Sequence, residues 1–154
     1  MDNELSSNVV ADDPMEQMIC FDLYAASQAF TRVYKPLLEP LGLTYPQYLV
    51  MLNLWSDAPL TVGEIGRRVS LESNTLTPLI KRLQEADLVT RRRDPADERR
   101  VVVGLTPRGH ALSEQAAHVP SCILQATGME PVELADLQRR LRGLTSRMLT
   151  YNNK

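Results

Sequence analysis

The chain has few aromatic residues and few cysteines, and it lacks any long apolar run. Aromatic residues make up 5% of its 154 residues, and only Cys20 and Cys122 are cysteines. Two cysteines in such a chain indicate a reducing cytosol, where thiols stay free, so we expect a cytoplasmic protein. No apolar stretch approaches the roughly 18 residues that span a membrane, and the acidic N-terminus lacks the features of a secretory signal. We expect no membrane partner, and we expect one compact domain over residues 1–154.

Basic residues are also missing from the start of the chain, where none precedes Arg32. The formal net charge of −2 argues weakly against nucleic-acid binding, but the distribution of charge argues for it. From Arg67 to Arg100, nine basic residues stand against six acidic ones, a local charge of +3. A basic middle within an acidic chain indicates a site for a polyanion.

Residues 61–83 have the pattern of two short helices joined by a turn at 70–72. Thr61 and Glu64 have the spacing of a capping box that starts the first helix. Gly66 would let another helix approach closely. One side of this first helix is apolar and consists of Val62, Ile65 and Val69.

The second helix has one apolar and one polar side. Ser73 or Asn74 is placed to cap it, and Pro78 lies in or just beyond its first turn, where a missing N–H costs little. The spacing predicts a buried stripe formed by Leu76, Leu79, Ile80 and Leu83. Side chains that reach bases and phosphates remain outside, namely Ser73, Asn74, Thr75, Thr77, Lys81 and Arg82. This arrangement is typical of a helix-turn-helix, although an ordinary helical hairpin with a solvated face fits it too.

Residues 88–105 predict a two-stranded β-hairpin. Two strand-like runs, 88–93 and 99–105, are separated by turn residues at 94–97. A hairpin placed directly after the second helix is a wing, and an arginine at its tip could enter the DNA minor groove. The arginines expected to contact DNA there are Arg92, Arg93 and Arg99.

Two helices are predicted before this unit. Pro14 suits the start of the first, whose apolar positions recur at three- and four-residue steps, and Pro36 should kink or end it near Lys35. The second begins near Tyr45, with Tyr48, Leu49, Leu52 and Trp55 directed inward.

Further helices are predicted after the hairpin. Thr106 caps the first of them, whose face is lined by Ala111, Leu112 and Val119, and Pro120 should bend or interrupt it. Gly128 ends that stretch and Pro131 opens the last helix. Its heptad-like stripe indicates a partner helix and consists of Leu134, Leu137, Leu141, Leu144 and Met148.

The predicted fold is mostly α with a small β-hairpin wing. It is a winged helix-turn-helix in which residues 45–105 form the DNA-binding lobe. Residues 14–42 and 107–151 supply N- and C-terminal dimerisation helices. Packing within one chain is the alternative for these helices. A two-fold homodimer would place its two recognition helices about 34 Å apart, one turn of DNA.

Several stretches resemble the multiple antibiotic resistance regulator (MarR) family. The resemblance is carried by residues 61–83 and by the wing, Arg93 to Arg100, followed by Leu105 to Gly109. More narrowly, the chain resembles the organic hydroperoxide resistance regulators of that family. That likeness rests on Cys20, Tyr24, Tyr34 and the stretch 43–48.

The resemblance implies a repressor that binds double-stranded operator DNA as a homodimer and releases it on oxidation. It implies a peroxidatic cysteine, matching Cys20, whose hydrogen-bonding tyrosines match Tyr34 and Tyr45, with Tyr24 nearby. It also implies that a second cysteine, matching Cys122, forms a disulfide with Cys20 of the other subunit. The family's wing arginine matches Arg99. The oxidant would be an organic hydroperoxide, and no cofactor is implied.

Other hypotheses remain open from the residues alone. The cysteines could be incidental in a regulator of the same fold that responds to a small aromatic ligand. A thiol peroxidase would need a reductase site or CxxC pair that the sequence does not offer, so we expect no enzyme. A winged-helix module in a protein assembly would bind no specific DNA. His110 and His118 do not pair with the cysteines at metal-like spacing, so no metal site is expected.

Overall fold

A computed structural model describes Met15 and residues 18–151 of the chain. The elements follow in the order α1 (Ile19–Leu38), a 3₁₀ helix (Glu39–Leu41), α2 (Tyr45–Asp57), β1 (Leu60–Thr61), α3 (Val62–Val69), α4 (Ser73–Glu85), β2 (Val89–Asp94), β3 (Asp97–Leu105), α5 (Pro107–Ala116), α6 (Val119–Thr127) and α7 (Pro131–Tyr151). The boundary between two compact units falls within α1, between Arg32 and Val33. The predicted helix start at Pro14 lies outside the described residues.

Helix α1 runs through Pro36, so of the predicted kink or end near Lys35 the end is wrong, whereas the kink stays a prediction. The helix continues to Leu38, which is buried in the core and anchors its last turn. Pro36 has no N–H to donate to the carbonyl oxygen of Arg32, four residues earlier. Arg32 is exposed, so water can donate to this oxygen instead. Gly42, at φ +67°, then reverses the chain after the 3₁₀ helix.

Helix α2 begins at Tyr45 as predicted, but its buried face differs from the prediction. Thr44 and Gln47 form a capping box that starts the helix. The buried residues are Tyr48, Val50, Met51 and Leu54. Tyr48 was predicted correctly, whereas Leu49 and Trp55 are half-buried and Leu52 is 38% exposed. The prediction for Leu52 is wrong because α3, α4 and α5 cover the side of the helix around Met51.

The helix-turn-helix consists of α3 and α4. The capping box of Thr61 and Glu64 is confirmed. So is the close approach at Gly66, where a Cβ would lie 2.9 Å from the Leu71 backbone oxygen and 3.4 Å from a Leu76 methyl carbon. On α4, Leu76, Ile80 and Leu83 are buried and Leu79 is half-buried, which confirms the predicted stripe.

The predicted side-chain cap of α4 is wrong, and so is the expectation that the N–H missing at Pro78 would leave no helical carbonyl unpaired. Its N-cap is Glu72, without a side-chain cap, because the backbone N–H groups of Thr75 and Leu76 both donate to the Glu72 carbonyl oxygen. Pro78 is the sixth residue of the helix, just beyond its first turn as predicted, but it leaves the Asn74 carbonyl without its usual partner. Asn74 is exposed, so water can reach that carbonyl.

The sheet has three antiparallel strands in the order β1-β3-β2, where the sequence predicted only two. The hairpin of β2 and β3 is confirmed, with Val89 opposite Leu105 and Arg93 opposite Val101. The additional strand β1 places Leu60 opposite Val103 and Thr61 opposite Val102. A strand of two residues has no periodicity, so its sequence carries no signal of pairing.

Two separate helices, α5 and α6, replace the single interrupted helix that was predicted. The break comes at Ala117 and His118, and Pro120 lies in the first turn of α6, where a proline is readily accommodated. Ala111 is exposed, against prediction, because the buried face of α5 consists of Gly109, Leu112 and Ala116. Gly128 caps α6 in the left-handed conformation, and α7 starts at Pro131 as predicted.

The core lies under the helix-turn-helix and the sheet. Its fully buried residues include Ile65, Leu76, Ile80 and Val103. Helix α7, by contrast, has no buried residue, and its predicted stripe is half-buried or exposed along its length. Among the described helices, none combines the length and apolar character needed to cross a membrane.

Candidate nucleic-acid interface and redox residues

A cleft of about 540 Å³ lies between the start of α3, α4 and the wing. Four arginines line it, namely Arg67, Arg91, Arg99 and Arg100. The hydroxyl residues Ser73 and Thr77 of α4 also line it. Guanidinium and hydroxyl groups are the donors that phosphate oxygens accept from in protein–DNA complexes. The cleft therefore has the chemistry of a phosphate-binding groove.

Strand register decides where each arginine of the wing points. Arg91 pairs with Val103, which is fully buried, so Arg91 shares the inner face and is itself half-buried. Arg92 pairs with Val102 and lies on the other face of the hairpin. Arg99 projects near the tip with 92% of its side chain exposed, and its Nε lies 3.2 Å from the Asp97 carboxylate. Arg99 is thus much more exposed than the neighbouring Arg100, whose side chain is 53% exposed.

Arg93, also predicted to contact DNA, is exposed on β2 opposite Val101, and the outer side of α4 carries the other six predicted residues. All six of them are exposed, namely Ser73, Asn74, Thr75, Thr77, Lys81 and Arg82. Lys81 lies 3.9 Å from Glu85 one turn later, a distance that leaves its ammonium group accessible to another anion. Because Ser73 and Thr77 also border the cleft, the exposed side of α4 and the arginine cleft form one continuous surface.

The same cleft contains a carboxylate. Glu64 accepts hydrogen bonds from the Thr61 backbone N–H and hydroxyl, both at 2.7 Å. The bond from the Thr61 backbone lowers the pKa of Glu64 most. The Thr61 hydroxyl and the charges of Arg100 and Arg67 lower it further. Glu64 therefore stays ionised while it caps α3, and it offsets part of the positive charge around it.

Three of the arginines that line the cleft were not among the predicted DNA-contacting residues. Arg67 belongs to α3, and Arg91 and Arg100 belong to the wing. The alternation of the β2 run could have identified Arg91, since it lies two residues from the buried Val89 and shares its face. No pattern in the sequence places Arg67 beside the wing, because that contact arises from the packing of α3 on the sheet.

The two cysteines are both free thiols in different parts of the chain. Cys20 lies in the first turn of α1 and is exposed, as are all residues from 18 to 32. Tyr24 follows one turn later on the same face of the helix and is also exposed. Cys122 lies in α6 and is half-buried, beside the buried Ile123.

The predicted partner tyrosines Tyr34 and Tyr45 lie against each other. Their ring centroids are 4.6 Å apart, and Tyr48 lies 5.9 Å from Tyr34. Burial, with smaller contributions from Tyr45 and Tyr48, raises the pKa of Tyr34 to about 12. The Tyr34 hydroxyl therefore keeps its proton at physiological pH and can donate a hydrogen bond.

The histidines do not contribute to these sites. His110 and His118 are both exposed, and the His118 ring contacts the Gln115 backbone oxygen at 2.9 Å. Within the described part of the chain, no group of three or more potential metal ligands comes together.

Comparison with known proteins gives consistent matches. Residues 32–116 match the SarA/Rot family of transcriptional regulators. An organic hydroperoxide resistance transcriptional regulator of Bacillus subtilis (strain 168) is 43% identical over 127 residues, which cover 82% of this chain and 86% of that protein.

Two solved structures of the regulator AbfR of Staphylococcus epidermidis are also similar. Reduced AbfR bound to DNA has a TM-score of 0.73 and 34% identity, covering 84% of this chain and 91% of its own. Disulfide-formed AbfR has a TM-score of 0.58 and 35% identity, covering 82% and 88%.

Proposed function

This chain belongs to the MarR family of transcription regulators, in its organic hydroperoxide resistance group, and from that premise we propose that it is a redox-sensing repressor. Like its relatives it is a regulator and not an enzyme. In the proposed cycle the reduced homodimer binds operator DNA, and oxidation of Cys20 by an organic hydroperoxide releases it. The observation that carries the DNA-binding part is the arginine-lined cleft beside the exposed side of α4.

The proposed DNA contacts are of two kinds, contacts within the DNA grooves and contacts with the DNA phosphate backbone. The exposed side of α4 enters the major groove, where Asn74, Lys81 and Arg82 reach base edges or phosphates. Arg99 at the wing tip enters the minor groove, whose narrow stretches attract arginine. Arg91 and Arg100 in the cleft neutralise the phosphates between the two grooves.

The homodimer is proposed from apolar surface that the single chain leaves uncovered. On α7, Leu137 and Leu141 are 39% and 37% exposed, and Met148 is 60% exposed. On α1, the exposed apolar residues include Ile19, Phe21 and Phe30. Soluble proteins cover such surface with a partner. We therefore assign residues 14–42 and 107–151 to dimerisation and residues 45–105 to the DNA-binding lobe.

The redox step that we propose begins at the exposed thiol of Cys20. Its thiolate attacks the O–O bond of the hydroperoxide, the bond breaks, and the alcohol leaves while the sulfur becomes a sulfenic acid. The partner's Cys122 then attacks this sulfur as a thiolate, which releases water and forms an intersubunit disulfide. Tyr34, Tyr45 and Tyr24 are proposed as the phenol donors that stabilise the thiolate before oxidation. Two solved states of AbfR, reduced on DNA and disulfide-formed, fit such a cycle for that relative. Overoxidised AbfR has also been solved bound to DNA, so in the proposed cycle it is the disulfide that releases the operator.

The test measures binding to the DNA upstream of the protein's own gene before and after stoichiometric organic hydroperoxide. We expect the reduced protein to bind, the oxidised protein to release, and dithiothreitol to restore binding. Cys20→Ser should bind in both conditions. Cys122→Ser should bind when reduced but form no interchain disulfide on a non-reducing gel.

Each of the other possible outcomes bears on a different part of the proposal. A Cys122→Ser protein that still runs as a covalent dimer after oxidation would contradict the proposed disulfide. Peroxide-independent binding by the native protein would leave the DNA-binding role intact and move the signal from the thiol to a small-molecule ligand. Absence of specific binding under every condition would overturn the repressor itself.

A further inference from the structure

The single tryptophan of the chain connects α2 to α5. Trp55 lies near the end of α2, and its indole N–H donates a 2.8 Å hydrogen bond to the backbone oxygen of Gly109 in the first turn of α5. Its ring packs edge-on against Tyr48, with centroids 6.2 Å apart. The half-buried indole is therefore held both by an aromatic ring and by a backbone carbonyl.

The first turn of α5 packs against the base of the wing. A Cβ on Gly109 would lie only 1.8 Å from the Leu88 carbonyl oxygen, so the two backbones touch. The Thr106 N–H donates to that same oxygen at 3.2 Å, and the Thr106 hydroxyl donates to the Asp87 carbonyl oxygen at 2.6 Å. Asp87 and Leu88 lead directly into β2. One chain of contacts thus runs from Trp55 through Gly109 to the start of the wing.

We infer that Trp55 is a positioning residue for the wing, acting through Gly109 and Leu88 on the placement of Arg99. Trp55 is not among the residues that line the arginine cleft, so it has no direct part in the proposed DNA contacts. Its effect on DNA rests on the proposed function, whereas its effect on the wing does not.

The length of the hairpin makes its base a sensitive point. Arg99 lies about 20 Å along β3 from Leu105, at roughly 3.3 Å per residue. A tilt of a few degrees at the base therefore moves the tip by more than an ångström, which is enough to break a hydrogen bond. Strand β1 holds β3 only at Val102 and Val103, so it cannot by itself fix this tilt.

Two substitutions separate the hydrogen bond from the bulk of the side chain. Trp55→Phe keeps an aromatic ring but removes the N–H donor. Trp55→His is smaller, yet its Nε2 can occupy the position of the indole nitrogen and donate to Gly109. Leu52→Ala, on the exposed side of the same helix, is the matched control.

The first experiment is a double-mutant cycle on operator affinity. We expect Trp55→Phe to weaken operator binding about tenfold, because the displaced wing loses the contact of Arg99 with DNA and one hydrogen bond is worth about that much. The loss should be smaller for Trp55→His, and Leu52→Ala should cause none. Arg99→Ala should cost about tenfold in the native background but less than about twofold beside Trp55→Phe, because the wing is already displaced. Asn74→Ala, on α4, should cost the same in both backgrounds. An equal cost of Arg99→Ala in both backgrounds would overturn the inference.

The second experiment needs no DNA and uses hydrogen exchange of the full chain. Trp55→Phe should accelerate exchange of the Thr106 amide and of β2 and β3 while leaving α3 and α4 at their native rates. Equal acceleration in every element would mean general destabilisation and would contradict a positioning role. If the native protein bound no operator, the repressor proposal would fail, and this exchange pattern would still decide the inference about Trp55.

Discussion

Tyr34 illustrates how the environment of one side chain determines its chemistry. Its ring contacts those of Tyr45 and Tyr48, and burial raises its pKa from 10.0 to about 12. The pKa of Tyr48 is raised for the same main reason. A phenol that resists ionisation remains a hydrogen-bond donor over the whole physiological range, which suits the proposed role beside a thiolate.

This shift predicts a loss of stability at alkaline pH. In the unfolded chain Tyr34 loses its proton near pH 10, but in the folded protein it does so only near pH 12. The contribution of Tyr34 to the free energy of unfolding is therefore complete below pH 10 and disappears as the pH rises from 10 to 12. Discounted for partial exposure, the contribution is about 1 kcal/mol. Urea unfolding at pH 9 and pH 11.5 measures this loss, which should be smaller in Tyr34→Phe.

Tyr24 provides the matched control because its side chain is exposed. Tyr24→Phe should lose as much stability as the native protein between the two pH values. If Tyr34→Phe and Tyr24→Phe behave alike, the burial of Tyr34 does not govern the alkaline transition.

At the scale of the element, the helix-turn-helix depends on a close approach at Gly66. A Cβ there would lie 2.9 Å from the Leu71 backbone oxygen, which cannot move without opening the turn between α3 and α4. On the same helix, a Cβ on Gly63 would meet only the end of the flexible Arg67 side chain, at 3.8 Å. The two glycines of α3 therefore have different roles.

We expect Gly66→Ala to lower the free energy of unfolding by about 1–3 kcal/mol because the turn must shift to make room. Gly63→Ala should instead be neutral or raise it by up to about 1 kcal/mol, since alanine favours helix. Thermal unfolding of both variants checks this pair. Equal effects at the two positions would show that the contact with Leu71 is not restrictive.

At the scale of the whole molecule, the exposed apolar side of α7 predicts that the solution state is a homodimer. Replacing Leu137 and Leu141 together by glutamate should give a folded monomer, because neither leucine is buried in the single chain. Ser146→Glu, on the opposite side of α7, should leave the dimer intact. Sedimentation with circular dichroism distinguishes a dissociated folded chain from an unfolded one.

Two other outcomes are possible for the double variant. A double variant that stays dimeric would place the interface elsewhere, and one that unfolds would show that a single chain is unstable without its partner.

Local sequence determined most of the elements. The capping box at Thr61, the cap at Thr106 and the αL glycine Gly128 each satisfy backbone groups within a few residues, so their effect is visible in the sequence. The alternation and turn chemistry of residues 88–105 determined the hairpin for the same reason.

Tertiary structure decided what depends on distant residues. Strand β1 forms only because β3 offers it a partner, and Leu52 is exposed because other helices cover a neighbouring side of α2. The cleft brings Arg67 beside Arg91 and Arg100, which no local pattern could indicate. The bond from Trp55 to Gly109 joins residues 54 positions apart. Caps and turns are local hydrogen bonds that the sequence specifies. The burial of individual side chains, the arginine-lined cleft and the bond from Trp55 to Gly109 depend instead on which surfaces meet when the chain folds.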